Sequence, residues 1–457
     1  MTYSVPGSVR THQVSSSRLG SVDSPFVRTR AVLDQMKGWE IMKAVTTGTE
    51  YLRENSETFL PIEPREDYTA YLSRVNRAVF TPYTQRLVRS AAGLILRKPI
   101  NIEGDPYWTE IFNKDVDGCG SDLDEYARRL LICALTYGHC HTLVDFPAPS
   151  AARNLAEERA LNRRPYWIEV EPTNADGDFG EKVFDQIRVI EPGRYRVFRQ
   201  EQQKQEMQGE FPYPASFQQT EAGGEYQLVE SGPYSLNQIP LVTIYANKTD
   251  VMASRPPLLD IAYLNLAHFQ RQADLIHSLH IASQPMLVLE GWDDQTKDMA
   301  IGVNYAMATQ PGNQVYYVQP AATAFEAQSA EIQELQQQMA SLGISTLSQQ
   351  KFVAESADAR RLDRIDTNSM LSMVSMDLES GLQKSYNLAA DYLGIEPPKV
   401  SISRDFDLQR LIGQDITAMA QLFEGNIIDR EEFRQMLVQG EILPMAAEAQ
   451  DQAPAVE

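Results

Sequence analysis

Cysteine is scarce: Cys119, Cys133 and Cys140 are the only three in 457 residues. So few, without a CxxC spacing, exclude a disulfide framework and fit a reducing compartment. Long apolar runs are also missing. Nothing approaches the roughly 20 residues that cross a bilayer, and the Ser-rich start "MTYSVPGSVRTHQVSSSRLGSVDSP" has no apolar stretch of the secretory type. The chain is therefore expected to be soluble, intracellular when made, and without a membrane partner. Positive charge is in deficit, with 41 Lys plus Arg against 62 Asp plus Glu and a formal charge of −21. That balance argues against a free-standing nucleic-acid binder, whose affinity comes mainly from neutralising phosphates. It still permits DNA to pass close by without being gripped. Local enzyme signatures are absent as well: no GxxxxGK[ST] loop, no GxGxxG after a strand, no GxSxG elbow and no HExxH. A triad need not be local in sequence, yet this set of absences favours a structural or assembly role, with no catalytic residue, metal or cofactor assigned.

What is present is a chain too long for one compact core, with an ordinary 43% hydrophobic and 23% charged content. Residues 1–27 read as a flexible polar arm. Between Val32 and Leu143 the pattern is mostly helical. "EDYTAYLSRVNRAVF" places Tyr68, Tyr71, Leu72, Val75 and Val79 on one face, and "TPYTQRLVRSAAGLILRKP" continues after Pro82. "LDEYARRLLICALTYG" predicts another helix, capped by Gly138. Strands follow in "HCHTLVDF", "PYWIEVE", "FDQIRVIEP", "RYRVFRQ", "EYQLVE" and "PLVTIYA". After Pro256 and Pro257 a long helix carries Leu259, Ala262, Leu266, Phe269, Ala273 and Ile276 as its stripe. At 1.5 Å per residue it spans roughly 40 Å. A short β-rich insert leads to "EIQELQQQMASLGISTLSQQK", where Ile332, Leu335, Met339 and Leu342 mark one narrow apolar face that stops at Gly343. From Ala321 to Gln350 there is no Lys or Arg, only Glu326, Glu331 and Glu334. A polar segment, a third long helix ending near Gly394, and small helices with Asp429 and Glu432 at N-cap and N3 spacing complete the chain.

Three clusters invite a chemical reading and fail it. His139, Cys140 and His141 are zinc-ligand types, but on a strand the histidines face one way and Cys140 the other. A third ligand would have to come from elsewhere, and no second cluster supplies it. "NADGDFGEKVFD" has Asn174, Asp176 and Asp178 at calcium-loop positions, yet Phe179 and Asp185 stand where Gly and Glu are needed, so a hairpin turn between strands explains it. His268, His277 and His280 on the long helix lack carboxylates at a matching offset for a di-metal pair. They read as polar positions on an exposed or subunit-facing surface.

Two long, thinly striped helices with a β insert between them bury too little area alone and need partners. Copies of the same chain meeting side by side would close a ring around a passage. The order of segments gives this picture a specific likeness. "TFLPIEPREDYTAYLSRVNRAVFTPYTQRLVRSAAGLILRKP", "LLICALTYGHCHTLVDFP", "QIPLVTIYANKTD", "PPLLDIAYLNLAHFQRQADLIHSLHIASQPMLVLEG" and "ELQQQMASLGISTL", followed by a polar loop and a long helix to "AADYLG", resemble the portal proteins of tailed bacteriophages over about residues 30–440.

The resemblance implies an α+β, portal-type fold: a mixed α/β wing, long stem helices, a small β-rich clip and a helical crown, assembled as a dodecameric ring at one capsid vertex of the virion. Carried onto this chain, 28–255 and the long helix 363–394 form the wing, and 256–283 and 322–343 the stem. The clip is 284–321, the tunnel loop 344–362, and the short crown with an acidic tail 395–457. Implied partners are other copies of the chain, the major capsid protein, the terminase large subunit, head–tail adaptor or tail proteins, and double-stranded DNA passing non-specifically. Stem packing then falls to Leu266, Phe269, Ile276, Ile332, Leu335, Met339 and Leu342. Gln349, Gln350, Lys351, Arg360, Arg361 and Arg364 fall on or beside the tunnel loop, where a ring of cations would touch phosphates transiently. Trp292 beside Asp293 and Asp294 offers a clip docking anchor, and equally suits an indole buried under its own hairpin. A different phage ring or adaptor protein would be shorter or more uniformly helical. An enzyme would need a convergent polar pocket that the residue pattern does not display.

Overall fold

The computed structural model describes residues 28–147, 163–179, 184–191, 194–199, 215–219, 226–231, 236, 238–283, 286–290, 314–318, 322–344, 357–404 and scattered positions from 406 to 433. Two compact units divide the chain, 1–404 and 405–457.

The first unit opens with helices α1 (Arg30–Thr47), α2 (Thr49–Glu54), α3 (Ser56–Phe59), α4 (Tyr68–Arg77) and α5 (Tyr83–Ile95). Short polar residues start several of its helices. The Asp67 carboxylate accepts from the amides of Thr69 and Ala70 at the head of α4, satisfying donors that an α-helix leaves unpaired. Asp105 does the same for α6 (Pro106–Glu110), and Asp122 for α7 (Leu123–Tyr137). Gly138 ends α7 in the left-handed region, φ 90°, and a side chain there would also collide with Ser254.

From Gly138 the chain enters β2 (His139–Asp145), the centre of a three-stranded antiparallel sheet with β3 (Tyr166–Val170) and β9 (Leu241–Tyr245). Thr142 pairs with Glu169 on one side and Val242 on the other. A five-stranded meander follows in chain order: β4 (Ala175–Phe179), β5 (Phe184–Glu191), β6 (Arg194–Arg199), β7 (Ala215–Gln219) and β8 (Tyr226–Ser231). Small ladders join β1 (Asn101–Glu103) to β14 (Lys399–Ser401), and β10 (Lys248–Asp250) to β11 (Ala253–Ser254). Then come α8 (Leu259–Ala282), the hairpin β12 (Met286–Glu290) with β13 (Gln314–Val318), α9 (Ala322–Met339) and α10 (Ala357–Leu393).

The six strands expected from alternation are all formed. β1, β7, β10, β11 and β14 were not anticipated, because strands of two to five residues carry no alternation to read. β4 replaces what reads as a turn: Asp176 is buried within it and accepts from the Thr29 amide at 2.6 Å and the Thr29 hydroxyl at 2.9 Å. On α4, Tyr71 and Val75 are buried, whereas Tyr68 and Leu72 are exposed, as is Val79 beyond the helix end. The inward position goes instead to Arg74, which pairs with the Glu66 carboxylate at 2.8 Å.

The core lies between α7, the three-stranded sheet and α10. Trp108, Phe112, Trp167 and Tyr386 meet edge-to-face or tilted, with ring centroids 4.9–5.8 Å apart. Leu371, Val374, Leu378, Leu382, Tyr386 and Ala389 form the buried stripe of α10. That helix begins at Ala357, earlier than the polar composition suggests, because the run Ala-Asp-Ala-Arg-Arg-Leu is made largely of good helix formers. Residues 395–404 belong to the first unit rather than to a separate terminal region, since β14 is held by β1. In the second unit, Phe433 donates its amide to the Asp429 carbonyl at 3.0 Å, one helical turn, and stacks on Phe423. Glu432 lies outside the described residues. No described helix is long and apolar enough to cross a membrane.

Candidate functional site

The feature that sets this chain apart is the pairing of α8 with α9. Arg271 Nε donates to Glu331 Oε1 at 2.9 Å, and Gln336 Nε2 to His268 Nε2 at 3.0 Å. Moving back along α8 while moving forward along α9, these contacts define an antiparallel pair, joined beyond its end by the β12–β13 hairpin. The backbone after α9 widens into a π-type turn at Ala340–Ile344. Gly343, inside that turn, is buried: a Cβ there would come 2.6 Å from Leu87 and 2.7 Å from Ile261. The pattern stops at this glycine because α5 and α8 leave no room for a side chain.

The pair is anchored to the body by polar groups inside an apolar helix. Asn265 is fully buried; its Oδ1 accepts from the Thr84 amide at 3.0 Å and the Thr84 hydroxyl at 3.1 Å, and its Nδ2 donates to the Thr81 carbonyl at 3.0 Å. The side chain thereby caps the first turn of α5 from a neighbouring helix. His268, read as a surface position, is buried against Tyr83, and burial lowers its pKa. It can be interior because Gln336 supplies a donor to a neutral imidazole. His277 is half-buried beside Arg77, 3.5 Å away, and His280 is exposed. Arg74 ties α4 to α8 by reaching Asp274 at 3.1 Å as well as Glu66. Hydrogen bonding to Arg74 lowers the Glu66 pKa, whereas burial raises that of Asp274 despite the same guanidinium. Sequence reasoning missed Asn265 and Arg74; polar residues interrupting an apolar stripe were the available signal.

Phe269, Ile332 and Met339 are buried within the one chain, Phe269 against Phe80 at 5.9 Å between ring centroids. Leu266, Ile276 and Leu335 are half-buried. The stripe expected to need another subunit is therefore largely covered by its own neighbours. Of that stripe Leu342 stays open, at 57% exposure, and with it Tyr263 at 49%, Leu279 at 46% and Ile281 at 55%. Tyr263 and Ile281, about five helical turns apart at 3.6 residues per turn, lie on one side of α8.

Of the remaining expected site residues, Gln349, Gln350, Lys351, Trp292, Asp293 and Asp294 lie outside the described residues. Arg360, Arg361 and Arg364 are on α10, not in a connecting loop. His139 and His141 do share one face, with rings 5.0 Å apart, and each is hydrogen-bonded through Nδ1, to the hydroxyls of Ser254 at 2.6 Å and Thr243 at 2.9 Å.

The model of a family described as "Domain of unknown function (DUF4055)" matches residues 257–393. That span runs from two residues before α8 to the last residue of α10, taking in the helix pair and its hairpin. No curated protein matches the chain. Among solved structures, one described as "Virion of native gene transfer agent (GTA) particle" is similar at TM-score 0.48 and 12% identity, over 92% of this chain and 96% of that one. A second, "Neck of native GTA particle computed with C12 symmetry", gives TM-score 0.44 and 13% identity over 78% and 89% of the two chains. A third, "Neck of empty GTA particle computed with C6 symmetry", gives 0.45 and 13% over 78% and 90%.

Proposed function

We propose that this chain is a portal-type ring protein of a phage-like particle. Copies would assemble as a dodecameric ring at one capsid vertex, forming the channel through which DNA is packaged and ejected. The hairpin end of the helix pair would present Trp292, Asp293 and Asp294 to the terminase large subunit, and later to adaptor or tail proteins. The body would meet the major capsid protein. The observation that carries the reading is the antiparallel α8–α9 pair with a hairpin at its tip: its own chain covers one side, while Tyr263, Ile281 and Leu342 remain open. Large apolar side chains spaced along a paired helix are the material of a subunit interface. The absence of Lys and Arg from α9 suits a wall past which phosphates slide without being held.

Negative-stain microscopy and mass photometry of the full chain test this directly. Closed rings with a central hole are expected. Ile281→Glu combined with Leu342→Glu should leave the circular dichroism spectrum unchanged and weaken assembly by about tenfold or more, since a buried unpaired carboxylate costs several kcal/mol. A chain that stays monomeric at every concentration and salt, or a double variant that assembles as well as the parent, would count against it.

A further inference from the structure

Two of the three cysteines meet inside the first unit. Cys133 lies near the end of α7 and Cys140 is the second residue of β2, with the left-handed Gly138 folding one element back on the other. Glu169 arrives from the neighbouring strand. Thr142 is its partner in the antiparallel register, and Cys140 sits two residues before Thr142, so alternation sends Cys140 and Glu169 to the same face of the sheet. There α7 delivers Cys133. The two sulfurs and a Glu169 carboxylate oxygen all lie within 4.8 Å of one another. Cys140 is fully buried and Cys133 is 7% exposed. His139 and His141 take no part, being held by hydroxyls on the opposite face.

Glu169, 26% exposed, stands beside two buried thiols, of which Cys140 donates to the Val170 carbonyl at 3.6 Å. Burial raises the pKa of Glu169 and of both cysteines, so each group disfavours its charged form where it stands. Arg129 approaches Glu169 only to 3.6 Å, and its Nε has no hydrogen-bond partner.

We propose that Cys133, Cys140 and Glu169 bind a thiophilic divalent cation, zinc by the chemistry of the donors. Zinc takes thiolate sulfur at about 2.3 Å and carboxylate oxygen at about 2.0–2.2 Å. Donors around one tetrahedral ion then stand roughly 3.5–3.8 Å apart, which the cluster, within 4.8 Å, reaches by closing by at most about 1.3 Å. Loading forms two Zn–S bonds and one Zn–O bond and releases the two thiol protons to solvent. The resulting centre carries one negative charge, which Arg129 is placed to offset. The fourth tetrahedral position is left for a water molecule. The ion would fasten α7 to the sheet.

The test is a cadmium titration of the full-length chain, purified with reductant and stripped of metal by chelator. Thiolate-to-cadmium charge-transfer absorption should saturate at one ion per chain, be reversed by EDTA, and accompany a rise in the thermal midpoint. Cys133→Ala and Cys140→Ala should abolish the absorption, and Cys119→Ala, at the exposed cysteine, should retain it. Glu169→Gln should keep the absorption and weaken binding by about tenfold or more. The wild-type readout does not depend on whether the alanine variants fold. Absence of the absorption while Cys133 and Cys140 titrate as free thiols after denaturation would overturn the proposal. So would a Cys133–Cys140 disulfide in protein isolated without reductant, or absorption that Cys119→Ala removes.

Discussion

The buried histidine pair makes acid sensitivity a property of two residues. His139 has its pKa lowered to about 3 by burial, and His141 is held well below the usual imidazole range by burial and by the neighbouring imidazole. An unfolded chain protonates such rings near pH 6.5. The folded pKa lies below the unfolded one, so as pH falls the unfolded state takes up protons first. Their contribution is whole above pH 6.5 and is lost progressively toward about pH 3. Near pH 5, His139 alone should cost on the order of 2 kcal/mol. Urea midpoints at pH 7.5 and 5 measure this, and replacing both histidines with Gln should flatten the difference; an unchanged slope would show that other groups dominate.

At the scale of elements, buried polar side chains join α4 and α5 to α8. Arg74 is 3% exposed and satisfies Glu66, itself only 9% exposed, together with the Pro61 carbonyl. Arg74→Ala would strand the Glu66 carboxylate, and removing one partner of a buried pair costs about 3–5 kcal/mol. Chemical denaturation should report that loss; Arg74→Ala together with Glu66→Ala should recover part of it. Asn265→Leu keeps the number of side-chain heavy atoms but leaves the Thr84 amide and Thr81 carbonyl unpaired. A loss of about 1–3 kcal/mol is expected, with faster hydrogen exchange at the first turn of α5. Unaltered exchange there would mean that Asn265 does not hold that helix end.

At the scale of the whole molecule, the predictions depend on the proposed ring. The polar segment after Gly343 leaves the helix pair at its body end. In a ring, a loop from that end is expected to face the passage, and one Lys351 per subunit would make a belt of cations around it. Lys351→Glu should permit ring assembly yet lower DNA packaging or retention in particles. Packaging at the parental level in that variant would remove Lys351 from any such role. Arg360, Arg361 and Arg364, being on α10, are poorer candidates for a mobile contact than their loop-like composition suggests.

Much of the element order was fixed by local chemistry. Apolar periodicity marked α8 and α9, alternation marked β2, β3, β5, β6, β8 and β9, and Gly138 announced the end of α7, because each signal comes from residues within a few positions of one another. The strand geometry of His139-Cys140-His141 was legible for the same reason. Tertiary structure decided whatever depends on residues far apart in the chain. It put Arg74 rather than Tyr68 on the inner face of α4, because Glu66 and Asp274 were there to receive it. It buried His268 and Asn265 among partners some 70 to 180 residues away. It covered the apolar stripe of α8 with the chain's own helices, leaving Tyr263, Ile281 and Leu342 outside. And it brought Cys133, Cys140 and Glu169 together from a helix and two strands, a meeting no sequence spacing encodes, because the geometry that makes it belongs to the sheet register.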